Sequence, residues 1–139
     1  MIKRGEIYWV NLDPTLGSEI RKTRPALVVS NDANNMNAGT VTVLPITSNV
    51  SSVYPFEVLL PAGSCGNKEA CKTKADQIRT VDKRRLGKPM GFASSAVLAA
   101  AEHAMRLHLG LETPDPSGWV HDSSRPYGRN PAARAPRST

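Results

Sequence analysis

The stretch from Gly17-Ser18-Glu19 to Arg24-Pro25-Ala26-Leu27-Val28-Val29-Ser30 constrains this chain more than any other. A charged, turn-forming loop runs directly into an apolar segment that reads as a buried β-strand over 25–31. Pro25 fixes its own φ and pushes Arg24 out of the helical region toward extended geometry. A permanently charged guanidinium is therefore set at the mouth of a buried strand, and its planar fork of five donors suits phosphate. The plainest alternative is a surface ion pair between Arg24 and Glu19.

The rest of the chain supplies partners for that strand. Residues 5–12 read as a first strand, apolar on both faces and hence central. Asp13-Pro14 ends it, and 13–23 is a loop. Residues 31–39, with several Asn, an Asp and a Gly, read as a turn region. Val41, Val43, Leu44 and Ile46 make a third strand closing on Thr47-Ser48-Asn49, and Pro45 points to an edge or a bulge. Tyr54 to Leu60 alternates, with Phe56, Val58 and Leu60 on one face and Glu57 on the other. A Gly-rich loop covers 61–68, and Cys71 to Thr80 reads as one further strand. Its period of two puts Lys72, Lys74 and Asp76 on one side and Thr73, Ala75 and Gln77 on the other. Residues 82–87 resemble a single helical turn, and 88–92 are extended. Ser94 or Ser95 caps a helix over about 95–109, with Val97, Leu98, Ala101, Met105 and Leu109 as its apolar stripe and Gly110 past its end. Met105 and His108 are assigned to packing and solvent rather than to ligation.

These elements predict a mainly β fold: a small, partly open antiparallel barrel with a C-terminal α-helix packed on it, spanning residues 1–111. Residues 112–139 hold five Pro and four Arg with few bulky apolar groups, and are expected to form a disordered tail. The chain of 139 residues carries a formal charge of +6, which favours an anionic partner. Residues 1–111 hold fourteen Lys and Arg against nine Asp and Glu, so that balance belongs to the folded part. Aromatics are scarce, which disfavours a base-stacking platform. No apolar run is long enough to span a bilayer, and Met1-Ile2-Lys3-Arg4 leads into Gly and Glu rather than a signal segment, so a cytoplasmic protein is expected. That compartment argues for free thiols at Cys65 and Cys71. The histidines at 103, 108 and 121 are not arranged to complete a metal site with them.

Several pieces, in this order and spacing, resemble one family. They are Arg4-Gly5-Glu6-Ile7-Tyr8, Leu12-Asp13-Pro14, Gly17-Ser18-Glu19, Arg24-Pro25-Ala26-Leu27-Val28-Val29, Pro45-Ile46-Thr47-Ser48, Tyr54-Pro55-Phe56-Glu57-Val58 and Asp76-Gln77-Ile78-Arg79-Thr80-Val81-Asp82. The family is that of the MazF/PemK/Kid-type toxins, the ribonuclease halves of bacterial type II toxin–antitoxin pairs. The resemblance implies that the barrel is SH3-like, and that the protein is a homodimer that cleaves single-stranded RNA at short motifs, in mRNA, tRNA or rRNA, without a cofactor or metal. It implies 2′,3′-cyclic phosphate and 5′-hydroxyl ends, arrest of translation, and an antitoxin partner with an acidic, disordered C-terminal segment. Carried over by motif, Arg24 and Thr47 are the catalytic residues. Glu19, Ser48, Asp76 and Gln77 fall at substrate-binding positions. Lys74 stands where some members carry an arginine, and it lacks the planar fork.

Such cleavage needs a base for the 2′-hydroxyl, charge stabilisation at the phosphoryl oxygens and an acid for the 5′-oxygen. No histidine precedes position 103. Arg24 is expected to supply the charge and Thr47 a hydrogen bond. An arginine base is hard to reconcile with a guanidinium that stays protonated, so the base is left open, with Asp76 and Glu19 as candidates. Two other functions fit the same barrel: a non-catalytic toxin that grips DNA gyrase, and an RNA-binding module. The run Lys83-Arg84-Arg85 is either a solvated turn or a track for the RNA backbone.

Overall fold

The computed structural model describes residues 1–112; the Pro- and Arg-rich segment lies, from residue 113 onward, outside the described residues. Seven strands form one antiparallel sheet: β1 (Glu6–Asn11), β2 (Thr23–Val28), β3 (Thr40–Thr47), β4 (Glu57–Leu60), β5 (Cys71–Lys74), β6 (Arg79–Asp82) and β7 (Leu86–Phe92). Their order is β4-β5-β3-β2-β1-β7, with β6 also on β3, so the sheet is open between β4 and β7. Helix α1 (Asp32–Asn37) joins β2 to β3, and α2 (Ser95–His108) follows β7.

The apolar run of β2 is explained by burial on both faces. Leu27, Leu44, Ile46, Phe56 and Leu60 pack toward α2, with Ala101 and Ala104 from the helix. Ala26, Val28, Val41, Val43, Val10 and Val81 fill a second cluster on the opposite face. Ser94 caps α2 by accepting from the Val97 N–H. At its other end Gly110 (φ +72°) lets the Leu111 N–H reach back to the Arg106 carbonyl.

Three expectations need correction. Residues 32–37 are helical, not merely a turn: the Asn31 side chain accepts from the Asn34 N–H, and buried Asn35 bonds the Ser30 carbonyl. The segment 71–80 is not one strand. It breaks at a 3₁₀ turn, Ala75–Gln77, and β5 and β6 pair with different parts of β3. That handover also explains why Pro45 sits in an interior strand instead of at an edge. The Thr42 carbonyl accepts from the Val29 N–H, so Thr42 and Leu44 bond toward β2 and the Pro45 nitrogen points the other way. It falls between β6, which pairs through Val43, and β5, which starts at Ile46, where no ladder bond is lost.

Candidate active site

Strand register assembles one surface on the sheet face opposite α2. Ala26 pairs with Pro45 across β2 and β3, and the same register carried two residues further brings Arg24 level with Thr47. Thr47 in turn pairs with Lys72, and Lys72 with Leu59. In the next row Ala26 pairs with Pro45 and Lys74 with Glu57, and the β3–β5 register carried one residue further brings Pro45 level with Lys74. Paired residues share a face, so Arg24, Thr47, Lys72, Lys74 and Glu57 all belong to this one.

Arg24 is half-buried, and its Nε donates to the Arg21 carbonyl at 3.0 Å. It forms no ion pair with Glu19, whose carboxylate instead accepts from the Leu16 N–H at 2.8 Å. Among the described residues the terminal nitrogens of Arg24 have no hydrogen bond or ion pair, so the fork is uncommitted. The Thr47 hydroxyl accepts from the Asn49 N–H at 3.3 Å, which leaves its own proton to donate. Ser48, next in the chain, is exposed.

One side of this pair is built on buried charge. Glu57, placed by alternation on a polar face, has a fully buried side chain. Its Oε1 lies 2.9 Å from Lys72 Nζ and its Oε2 2.7 Å from Lys74 Nζ. It also accepts from the Tyr54 N–H at 2.9 Å. Burial alone would raise the Glu57 carboxyl, but hydrogen bonds from Lys74, the Tyr54 backbone and Lys72 outweigh it and hold the group below its ordinary value. Lys72 donates further to the Ser52 carbonyl at 2.7 Å. Lys74 lies 3.7 Å from Asp76.

The other side is held by side chains on backbone groups. Gln77 Oε1 accepts from the Ile20 N–H at 3.1 Å, which pins the 13–22 loop carrying Glu19 to the 3₁₀ turn carrying Asp76. Arg79 Nη1 donates to the Leu12 carbonyl at 3.1 Å, and Arg85 Nη1 donates to the Asn11 and Asp13 carbonyls. Arg84 grips Asp82 through Nε and Nη2 and holds that carboxyl down to about 2.

The structure thus brings Arg24, Thr47 and Lys74 into adjoining rows and links Glu19's loop to Asp76 and Gln77. It adds Glu57 and Lys72, which sequence reasoning missed. The signal was two lysines at i and i+2 opposite an acidic residue on the preceding strand. A cleft of about 540 Å³ lined by Lys3–Glu6 and Pro89–Ala93 lies at the far end of β1 from Arg24, which pairs with Val10. Cys65 and Cys71 are buried free thiols, and burial pushes the Cys71 thiol up.

The described residues thus form an open antiparallel sheet with a C-terminal helix, and an uncommitted arginine stands on the strand row of Thr47. Residues 3–109 match the family model for the PemK-like, MazF-like toxin of type II toxin–antitoxin systems. Endoribonuclease MazF9 of Mycobacterium tuberculosis (strain ATCC 25618 / H37Rv) is 49% identical over 116 residues, covering 80% of this chain and 98% of that protein. The crystal structure of MazF (Form-I) from Deinococcus radiodurans superposes with a TM-score of 0.70 at 34% identity, over 78% of this chain and 96% of its own. An endoribonuclease solved in complex with its cognate antitoxin from a mycobacterial species gives 0.68 at 26% identity, over 82% of this chain and 100% of its own. The chain belongs to the PemK/MazF family of toxin–antitoxin endoribonucleases. No helix among the described residues is long and apolar enough to cross a membrane.

Proposed function

We propose that this protein is the cytoplasmic toxin of a type II pair, a homodimer that cuts single-stranded RNA at a short motif and so blocks translation. The observation that carries the reading is the Arg24 fork, whose terminal nitrogens are unengaged among the described residues and whose strand position the β2–β3 register brings level with Thr47. The RNA 2′-oxygen attacks the adjacent phosphorus, the bond from phosphorus to the 5′-oxygen breaks, the departing 5′-oxygen takes a proton from water, and the products are a 2′,3′-cyclic phosphate and a 5′-hydroxyl. Arg24 stabilises the charge that grows on the phosphoryl oxygens, and Thr47 donates a hydrogen bond to one of them. The 2′-hydroxyl proton passes to a carboxylate, for which Asp76 and Glu19 are the candidates. Protein groups supply the whole catalytic charge, so no metal takes part. Glu19, Ser48, Lys74, Asp76 and Gln77 line the path of the RNA.

The partner that restrains this activity is a cognate antitoxin with an acidic, disordered C-terminal segment. The basic balance of the chain and the antitoxin-bound mycobacterial neighbour support this.

The test is incubation of the full chain with a defined single-stranded RNA in EDTA, followed by mapping of the fragment ends. Cyclic-phosphate and 5′-hydroxyl ends at a recurring motif are expected. Binding without products would make the protein an RNA-binding module. Neither binding nor products would turn attention to a protein target such as DNA gyrase.

A further inference from the structure

The Glu57 carboxylate is the one fully buried carboxylate among the described ion pairs, and every contact it makes leads back to the Arg24–Thr47 surface. Both oxygens are occupied by ammonium groups, at 2.9 Å from Lys72 and 2.7 Å from Lys74. Lys72 is itself nearly buried, at 7% side-chain exposure, whereas Lys74 keeps 20%. The two lysines therefore do different things. Lys72 faces inward: its ammonium bridges Glu57 and the Ser52 carbonyl, to which it donates at 2.7 Å, and sits 5.8 Å from the centre of the Tyr54 ring. Ser52 and Tyr54 belong to the segment that leaves Thr47 and Ser48, so this contact fixes how that segment departs from the site. Lys74 faces outward. Its ammonium also lies within ion-pair distance of Asp76, at 3.7 Å, which is beyond hydrogen-bond reach. Lys74 is thus held in one place between two carboxylates while 20% of its side chain stays open to solvent.

We propose that Glu57 is a positioning residue for RNA cleavage: its buried carboxylate fixes the Lys74 ammonium beside Arg24 and Thr47, where it faces a phosphate flanking the cut. This arrangement answers what a lysine lacks at such a position. An arginine fork is rigid by itself, whereas an ammonium on four methylenes must be immobilised from behind. A rigid buried acceptor does that, and it lowers the entropy lost when the phosphate arrives. The inference rests on the reading of Lys74 as a group that contacts RNA.

A double-mutant cycle separates the two claims. Cleavage of a short fluorogenic RNA is measured for the parent, Glu57→Gln, Lys74→Ala and the double variant, with circular dichroism and thermal melting to confirm folding. Glu57→Gln is isosteric and leaves Lys74 charged but unanchored. The expected result is a loss of about tenfold in kcat/KM for Glu57→Gln in the parent, and less than about twofold when Lys74 is already alanine, because contacting residues do not act additively. Equal losses in both backgrounds would overturn the inference, since Glu57 would then act through something other than Lys74. No loss on Lys74→Ala would instead remove Lys74 from the RNA path, and the inference with it, while leaving Arg24 and Thr47 untouched. If Glu57→Gln fails to fold because Lys72 is left as a buried ammonium without a carboxylate, the cycle is run in a Lys72→Met background. There no such charge remains, and the same outcomes decide.

Discussion

The two sides of the Arg24–Thr47 surface are built by opposite means. On the β4–β5 side, a buried carboxylate and two lysines hold the frame, and the charges are taken out of water. On the loop side, Gln77, Arg79 and Arg85 hold the 11–22 backbone by hydrogen bonds to its N–H and carbonyl groups, part-buried at Ile20 and Leu12 and exposed at Asn11, with no buried charge among them. Breaking a buried ion pair strands a charge, whereas removing one part-buried or exposed hydrogen bond exposes a group that water can satisfy. The β4–β5 side should therefore be stiff and cooperative with the core, and the loop side should open locally. A protein that must admit a chain of nucleotides gains from one fixed wall and one that yields.

The largest expected effect is on stability. Glu57→Ala leaves two ammonium groups without their carboxylate and should cost about 3–5 kcal/mol, read from urea denaturation; a cost near zero would erase the contrast between the two sides. The same residue gives that wall a pH signature. Its folded carboxyl lies below the ordinary glutamate value of 4.5, so its contribution is complete above that value and is lost as pH falls through the lowered one. Stability of the parent should fall with acid in that window, and Glu57→Gln should lack this part of the slope.

Next in size is Gln77→Ala, which should cost about 1 kcal/mol and raise hydrogen exchange at the Ile20 amide while leaving β5 amides protected. Exchange that rises equally on both sides would mean the loop is not an independent unit. The smallest effect is expected at the basic turn. Arg84 is committed to Asp82 and Arg85 to backbone carbonyls, so Lys83→Ala should lower the salt slope of RNA binding by about one and weaken binding uniformly across sequences.

How much of this was legible in the sequence follows from what each signal encodes. Helix α2 was readable because its stripe, the Ser94 cap and Gly110 are all local. The strand at Arg24-Pro25-Ala26 was readable from its unbroken apolar run, although the run alone did not say that both faces are covered. Helix α1 was hidden because Asn and Asp favour turns as well as caps, and only the burial of Asn35 against Ser30 decides between them. The 71–80 segment misled because its alternation continues across the 3₁₀ turn, and the break comes from β3 changing partners. At the site, Arg24 and Thr47 were named through the family resemblance; their alignment depends on the β2–β3 register, which no local pattern encodes. Glu57 was assigned to a polar face correctly by alternation, but the covering of that face by the 48–56 segment is a tertiary fact.

The central claim is that Arg24 supplies charge stabilisation for cutting a phosphodiester beside Thr47. The direct measurement is the single-turnover cleavage rate of Arg24→Ala on a defined single-stranded RNA, with the fold verified by circular dichroism. A loss of about 10²–10³ in rate is predicted, as for removal of one donor to a developing oxyanion. A correctly folded variant that cuts as fast as the parent would contradict it.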